Sequence, residues 1–327
     1  MLAGGLAVAV SARALGGGRL WPATVPSGTT LAVGDQNEVL QTLMGASGQG
    51  TSLGSKVTYA NFVGGPAVLE AFRAGALDLA TVGNTPPVQA QAAGEHIPIV
   101  AAVQQSGSAY GIAIRPGLKL TRLEELRGKS IGYGEGTARQ AFVLNALRLA
   151  GLSRKDVTLI PLRASDFPDA IRSGQVDIAP LNEPRFSRYL ADYADRGAGG
   201  LPAAETARVP SGPSYLYAGE AGLRDPAKTA AIADFVAHWI AALRWSKAHS
   251  EAWIDAYYVK DQHLSAADGR KIEGAAGDLS FPPLSSLVAR QQAIADLIYE
   301  AGDLPARLDV REEFDFRFDD VIIANAG

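Results

Sequence analysis

Two segments of this chain repeat one pattern at a distance of 99 residues. Residues 70–80 and 169–179 carry Ala, Arg, Gly, Asp and Ala at the same five positions. The repeat continues upstream, because residues 31–37 resemble residues 131–137. A period near 100 residues exceeds the roughly 20–50 residues of solenoid repeats and is the size of a folding unit. The sequence therefore predicts two similar lobes, and a cleft between two lobes suits a small ligand.

Strands and helices are predicted to alternate along both copies of the repeat. Short apolar runs such as 77–82 and 157–162 have the pattern of buried parallel strands, and helical patterns follow them. We predict an α/β fold of two lobes, with parallel-rich sheets flanked by helices. Lobe one is expected over 29–112 and 217–327, and lobe two over 113–216.

The segments that join the lobes can also be predicted. Residues 110–115 have the pattern of a strand that leaves lobe one, and residues 214–218 that of a strand carrying the chain back. A helix over 285–300 is expected to return to lobe one. Trp239 and Trp253 lie in a helical region, where their spacing predicts core packing rather than a ligand cage.

The first 28 residues are predicted to lie outside both lobes. Residues 1–10 are apolar, have the length of the hydrophobic part of a signal peptide, and are too few to span a bilayer. Residues 12–14, Ala-Arg-Ala, resemble a cleavage site. We predict that residues 1–14 are the remnant of a signal peptide, that 15–28 form a linker, and that the protein is exported to the periplasm.

The composition excludes several kinds of protein. The net charge is −4, so the chain lacks the basic surface typical of a nucleic-acid-binding protein. It has no cysteine, which excludes a disulfide, a thiolate metal site and a cysteine nucleophile. The four histidines show no metal-ligand spacing. No cofactor is expected, and a monomer is predicted.

Four turns follow predicted strands, and each turn leads into a helix. Ligands of open α/β sheets bind beyond the carboxyl ends of the strands, where helix N-termini favour anions. Thr85 and Thr137 are predicted N-caps, the first followed by Pro86. Arg139 is the cation expected to face the ligand, since a guanidinium donates two hydrogen bonds to a sulfonate or carboxylate. The predicted ligand-binding residues are Gln36, Asn37, Asn84, Thr85, Gly136, Thr137, Ala138, Arg139, Asn182 and Glu183.

Two catalytic interpretations are not favoured. Residues 132–137 have the arrangement of a dinucleotide-binding loop, but Thr137 stands where the third glycine is required. Asp78 and Asp177 occupy equivalent positions in the repeat and are expected to bond nearby backbone rather than to form a catalytic pair.

Several of these segments together resemble a known family. Residues 57–94, with the motif Phe-Val-Gly-Gly-Pro at 62–66, resemble the aliphatic sulfonate-binding proteins of ABC importers. These belong to the nitrate/sulfonate/taurine group of periplasmic solute-binding proteins. The similarity covers about residues 29–315. It implies a periplasmic-binding-protein type II fold that presents a small sulfonate-like anion to a membrane permease.

The chain departs from this family at the predicted site. Asn84 stands where relatives usually have Asp, residues 137–139 where they have Ser-Ala-His, and residues 182–185 where they often have Trp-Asp-Pro-Tyr. The family's scaffold is therefore expected, but the ligand stays open. Besides a sulfonate, it can be nitrate, taurine, another organosulfur or aromatic acid, or a pyrimidine precursor. Glu183 is the acid available to pair with the ammonium of taurine.

Two other classes of function are alternatives. A small-metabolite enzyme on the same fold needs an acid or base in the cleft, where the turns offer Asp35, Glu135 and Glu183. A regulatory effector domain needs a helix-turn-helix, which the first 28 residues do not supply.

Overall fold

The computed structural model describes residues 21–108 and 110–327, and its strands form two sheets. The predicted signal-peptide remnant and the first six residues of the predicted linker lie outside the described residues. The strands are β1 Thr30–Gln36, β2 Lys56–Phe62, β3 Leu79–Val82, β4 Ile99–Gln105, β5 Tyr110–Ile114, β6 Ser130–Tyr133, β7 Thr158–Pro161, β8 Ile178–Asn182, β9 Gly199–Gly200, β10 Ser214–Ala218 and β11 Leu279–Ser280. The helices are α1 Val39–Ala46, α2 Gly65–Arg73, α3 Thr85–Ala92, α4 Ala138–Leu149, α5 Phe167–Ser173, α6 Arg185–Tyr193, α7 Ala203–Thr206, α8 Glu220–Arg224, α9 Pro226–Ala248, α10 Ser250–Trp253, α11 Ala266–Ala276, α12 Val288–Glu300 and α13 Asp319–Ala326. A π-helix, Ile254–Asp261, follows α10 directly.

The two sheets have related topologies. The first has the strand order β11-β4-β10-β3-β1-β2, and the second has the order β7-β6-β8-β5-β9. β1 pairs in parallel with β2 and β3, as β6 does with β7 and β8. One inner strand of each sheet, β10 or β5, runs antiparallel to both of its neighbours. The two-lobed α/β architecture predicted from the repeat is confirmed.

The chain passes between the lobes before β5 and before β10. β5 pairs with β8 and β9 of the second sheet, and β10 pairs with β3 and β4 of the first. The bounds expected from the sequence, after residues 112 and 216, fall inside these two strands. Both strands are recognisable as apolar runs, but an apolar run does not show which sheet a strand will join.

The aspartates of the repeat join parallel strands in both lobes. Oδ2 of Asp78 accepts a hydrogen bond from the backbone N–H of Ala32 at 2.9 Å. In the second lobe, Oδ2 of Asp177 accepts from the N–H of Ser130, also at 2.9 Å. Each carboxylate thus links the strand that follows a repeat helix to the start of the neighbouring strand. Both aspartates bond backbone, as predicted, but that backbone belongs to a neighbouring strand 46 or 47 residues away and is not local in the chain.

The first core belongs to lobe one and includes the residues that precede β1. Trp21 is buried and stacks on Phe318 with the ring centres 5.1 Å apart. The described end of the predicted linker therefore packs against lobe one. In the described part of the chain, no helix is long and apolar enough to cross a membrane.

A second core cluster crosses between the lobes. Ile294 and Ile298 of α12 share it with Val88 of α3 and with Leu144 and Leu147 of α4. α12 therefore packs on lobe one, to which the sequence predicted its return, and also on lobe two. The spacing of its apolar residues predicts an amphipathic helix, but not the surface that covers it.

Candidate ligand-binding site

A cavity of about 620 Å³ lies between the lobes at the carboxyl ends of β1, β3 and β8. This is the edge of an α/β sheet at which ligands bind. Of the ten residues predicted to bind the ligand, seven line the cavity: Gln36, Asn37, Thr137, Ala138, Arg139, Asn182 and Glu183. The lining does not include Asn84, Thr85 or Gly136.

Arg139 is a buried cation in the wall of this cavity. The residue is 8% exposed, its Nη2 donates to Oδ1 of Asn182, and its Nε is buried without a hydrogen-bond partner. Its guanidinium lies 5.7 Å from the ring centre of Tyr110. Burial lowers the pKa of Arg139, yet a guanidinium stays protonated at neutral pH.

The charge of Arg139 has no counter-charge among the described residues, none of whose carboxylates forms an ion pair with it. Buried charges in proteins are normally paired, because an isolated charge loses its hydration without compensation. The buried positive charge in the wall of the cavity therefore favours binding of an anion.

A second arginine adds positive charge beside this wall. Arg185, at the start of α6, is half-buried, and its Nη2 donates to Oδ1 of Asn37 at 3.1 Å. Burial and then the charge of Arg139 lower the pKa of Arg185. This hydrogen bond joins lobe two to lobe one. Arg185 is not among the residues predicted to bind the ligand, because only the folded chain places it next to Asn37.

The N-terminus of α4 faces the same cavity. Thr137 is its N-cap: Oγ1 accepts from the N–H of Arg139 at 3.3 Å and donates to the carbonyl oxygen of Gly134 at 2.7 Å. This is the cap predicted from the sequence. Because the positive end of the helix dipole and the Arg139 side chain lie together, both favour a bound anion.

The last residue of β1, Gln36, and the residue after it, Asn37, are held by hydrogen bonds to lobe one. Nε2 of Gln36 donates to the carbonyl oxygen of Thr81 at 2.9 Å. Asn37 has a left-handed backbone with φ of 57°, a conformation that asparagine tolerates better than most residues. Its carbonyl oxygen accepts hydrogen bonds from the Tyr257 hydroxyl at 3.3 Å and from Nε2 of Gln262 at 3.2 Å.

The carboxylates proposed for an enzyme serve as helix caps or lie away from the cavity. The Asp35 carboxylate accepts the N–H groups of Leu40 and Gln41, at 3.0 and 2.8 Å, in the first turn of α1. Both oxygens of Glu183 accept from Ser187, at 3.1 Å each. Burial raises the pKa of Asp35 and of Glu183. Glu135 is exposed and does not line the cavity.

The helix after β3 begins differently from the prediction. α3 starts at Thr85 and its N-cap is Asn84, whose side chain makes no capping hydrogen bond. The N–H groups that such a cap accepts belong to the second and third residues of a helix. Here these residues are Pro86 and Pro87, which have no N–H. The prediction of Thr85 as N-cap is therefore wrong by one residue.

Asn84 and Gly136 lie next to lining residues and form hydrogen bonds outside the cavity lining. The carbonyl oxygen of Asn84 accepts from Nε2 of Gln291 at 2.8 Å. Gly136 has φ of 70°, and its N–H donates to Oε1 of Gln140 at 2.8 Å. A left-handed residue is needed at this point, which favours glycine.

Residues 54–190 match the family model described as NMT1/THI5 like. Among curated relatives, a protein of Escherichia coli K12 named as an aliphatic sulfonates-binding protein is 27% identical over 261 residues. The alignment covers 79% of this chain and 79% of the relative. The resemblance predicted from the sequence is confirmed.

Solved structures extend the similarity to the whole fold. The periplasmic aliphatic sulphonate binding protein SsuA from Escherichia coli has a TM-score of 0.72 and 25% identity, over 88% of this chain and 92% of that one. The alkanesulfonate-binding protein SsuA from Xanthomonas axonopodis pv. citri, bound to MOPS, has a TM-score of 0.74 and 25% identity, over 88% and 98%. The predicted periplasmic-binding-protein type II fold is confirmed. The desulfurization enzyme DSZB shares the fold at 14% identity and a TM-score of 0.62, so the fold alone does not exclude an enzyme.

Proposed function

We propose that this protein is the extracytoplasmic solute-binding component of an ABC importer and binds a sulfonate-type organic anion between its lobes. The carrying observation is the buried, unpaired guanidinium of Arg139 in the cavity wall. A sulfonate bound there supplies the missing counter-charge and accepts hydrogen bonds from the guanidinium. In this proposal the protein acts as a monomer in the periplasm and presents the anion to an inner-membrane permease, in keeping with the names of its relatives.

The other candidate ligands and the enzyme alternative have less support. Nitrate is much smaller than a cavity of about 620 Å³. Taurine needs an acid for its ammonium group, but both oxygens of Glu183 already accept from Ser187. An enzyme needs a proton acceptor or donor in the cavity. Glu183 accepts from Ser187, Glu273 is paired with Lys247 at 2.8 Å, and Asp35 accepts from the first turn of α1 outside the cavity lining.

Calorimetric titration of ligand-free protein with anions of different chemistry tests the proposal. Ethanesulfonate, propionate, taurine and nitrate form the panel, and the protein is first unfolded and refolded to remove any bound ligand. We expect ethanesulfonate to bind more tightly than the other three. Tighter binding of propionate or nitrate would contradict the proposed anion, and tighter binding of taurine would show that the site also accommodates an ammonium group.

Arg139→Met is expected to have opposite effects on stability and on binding. Loss of a hydrogen bond to a charged group weakens sulfonate binding by about 1.5–3 kcal/mol, or roughly tenfold to more than a hundredfold. The ligand-free variant should melt at no lower temperature than wild type, because an unpaired buried charge has been removed. Calorimetry and thermal melting measure the two effects.

Arg148→Met is the matched control, since Arg148 lies on the same helix but is exposed, and its side chain donates to Oδ1 of Asn145 at 3.1 Å. It should leave sulfonate affinity unchanged. Equal affinity of wild type and Arg139→Met would show that Arg139 does not hold the anion.

A further inference from the structure

The cavity extends from Arg139 into lobe one, where most of its lining is ring-bearing and aliphatic and where Lys247 and Glu273 form an ion pair at 2.8 Å. We call this part of the cavity the aromatic chamber. Its walls come from α1, α9, α10 and the π-helix, through Leu40, Leu43, Trp239, Trp253, Tyr257 and Tyr258. The sequence predicted that Trp239 and Trp253 are core residues. Both are buried in the core of lobe one, but both also form part of the cavity wall.

The π-helix sets the arrangement of these rings. Trp253 and Tyr257 are stacked with centres 4.9 Å apart and planes within 5°, and Tyr258 meets Tyr257 edge-on at 5.0 Å. π-helices are rare and occur frequently at functional sites.

The polar atoms of these rings are already bonded to protein. The Tyr258 hydroxyl and Nε1 of Trp253 each donate to Oε1 of Glu273 at 3.0 Å. The Tyr257 hydroxyl donates to the backbone at Asn37. What these side chains offer a ligand is therefore mainly apolar ring surface.

Lobe two contributes two rings to the cavity lining among the described residues, Tyr110 of β5 and Phe186 of α6. Phe186 is seated against Gly111 and Gly200. A Cβ added at either glycine would lie 2.4 or 2.5 Å from the Phe186 ring, so only glycine leaves room for it. Aromatic surface therefore bounds the cavity from both lobes.

We propose that the bound anion carries a bulky, ring-bearing apolar tail, with its charged group at Arg139 and its tail in the aromatic chamber. This inference rests on the proposed function and specifies the ligand class. A cavity of about 620 Å³ is in the range used for drug-sized ligands, whereas a short alkanesulfonate would leave apolar walls in contact with water. Each apolar carbon removed from water strengthens binding by about fourfold.

Titration of wild-type protein with ethanesulfonate and naphthalene-2-sulfonate tests the inference. We expect naphthalene-2-sulfonate to bind at least tenfold more tightly. If ethanesulfonate binds equally well or better, the chamber proposal is wrong while the proposed function stands. If neither sulfonate binds, the proposed function fails and the chamber proposal fails with it.

A variant that reduces the chamber provides the second test. Ser246 of α9 is buried and lines the cavity, so Ser246→Leu takes up space there. The preference for naphthalene-2-sulfonate over ethanesulfonate should fall at least tenfold. Ala248→Leu adds the same side chain at an exposed position of α9 and should keep the wild-type preference.

Phe186→Ala removes a ring on the opposite wall and keeps the test available if Ser246→Leu does not fold, as judged by circular dichroism. This variant should also lose preference for naphthalene-2-sulfonate. An unchanged preference in a folded Ser246→Leu or Phe186→Ala protein would overturn the inference.

Discussion

Glu313 is a buried carboxyl group that supports the turn after β3. Its Oε2 accepts from Nε2 of Gln291 at 2.7 Å, and the same amide donates to the carbonyl oxygen of Asn84. The Tyr215 hydroxyl donates to Oε1 of Gln291 at 3.1 Å, which completes the network. Burial raises the pKa of the Glu313 carboxyl to about 8. The network therefore contains a group that titrates near neutral pH.

The Glu313→Gln variant should show a different dependence of stability on pH from wild type. The folded pKa of Glu313 lies above the unfolded value of about 4.3, so wild type loses stability as the pH rises from about 4 to 8. The glutamine cannot ionise, so the free energy of unfolding of the variant should rise relative to that of wild type by up to about 1.4 kcal/mol per pH unit in this window. Burial raises the pKa of Tyr215 and Tyr217, which keeps both neutral in this window.

Urea unfolding of both proteins at pH 5, 6, 7 and 8 measures this difference. A constant difference in unfolding free energy across the four pH values would contradict the assignment of the titration to Glu313.

Single residues were predictable where the signal is local. Thr137 is recognisable as a cap because a threonine stands directly before a helical pattern. Arg139 is recognisable as the cation that faces the ligand because it lies in the first turn of the same helix. Arg185, Tyr257 and Glu313 gave no such signal. Their roles come from contacts with residues 22 or more positions away in the chain, such as Asn37 and Gln291.

The repeated strand–helix–strand element is stabilised in both lobes by an aspartate that forms an ion pair and a backbone hydrogen bond. Asp78 forms an ion pair with Lys228, and Asp177 forms one with Arg115 at 2.7 Å, besides their backbone hydrogen bonds. Burial opposes ionisation of Asp177, but hydrogen bonds from Arg115 and Ser130 outweigh it and hold its pKa below the ordinary value. Neither aspartate lines the cavity.

Asp177→Asn should destabilise the protein without changing intrinsic sulfonate affinity. The expected loss is about 1.5–3 kcal/mol at pH 7, the range for hydrogen bonds to a charged group. Since the folded pKa of Asp177 is depressed, this stability is present above about pH 4 and is lost as the pH falls further. Chemical unfolding at pH 7 and pH 3.5 and calorimetry with the sulfonate check both statements.

Asp169→Asn is the control for this element, because the Asp169 side chain is 79% exposed and its ion pair with Arg172 lies at the surface. Exposed ion pairs contribute little, so its stability should stay within about 0.5 kcal/mol of wild type. A large loss of sulfonate affinity in folded Asp177→Asn would show that the ligand binds near Asp177 and not in the proposed cavity.

Elements were predictable where hydrophobic periodicity and turn residues agree. The alternation of strands and helices and both repeat helices follow from these patterns. The start of α3 could not be predicted from these patterns, because two consecutive prolines remove the N–H groups that define a cap. The pairing of β5 and β10 could not be predicted either, since it depends on which lobe each antiparallel strand enters.

At the scale of the molecule, the lobes touch at the rim of the cavity. A Cβ added at Gly83 of lobe one would lie 2.5 Å from Cβ of Ala138 in lobe two. The hydrogen bond between Arg185 and Asn37 joins the lobes nearby. Glycine at position 83 therefore permits the close approach that encloses the ligand site.

Gly83→Ala should separate the lobes and weaken binding. Overpacking of this kind costs about 1–3 kcal/mol, or roughly fivefold to more than a hundredfold in affinity. The radius of gyration from small-angle X-ray scattering, measured with the sulfonate present, should increase. Gly45→Ala is the control, because an added Cβ meets no atom within 4 Å there. Wild-type affinity and radius in Gly83→Ala would show that the contact does not govern closure.

The position of β10 in the first sheet also affects the order in which the two lobes fold. β10 lies between β3 and β4, so the middle of this sheet stays open until residues 214–218 have joined it. The second sheet uses only residues 110–200 and can form earlier. Pairing across a long stretch of chain is slow, because a large loop must close first. Lobe two is therefore expected to fold first, and in the interval the edges of β3 and β4 that await β10 are the sites where newly made chains would associate wrongly.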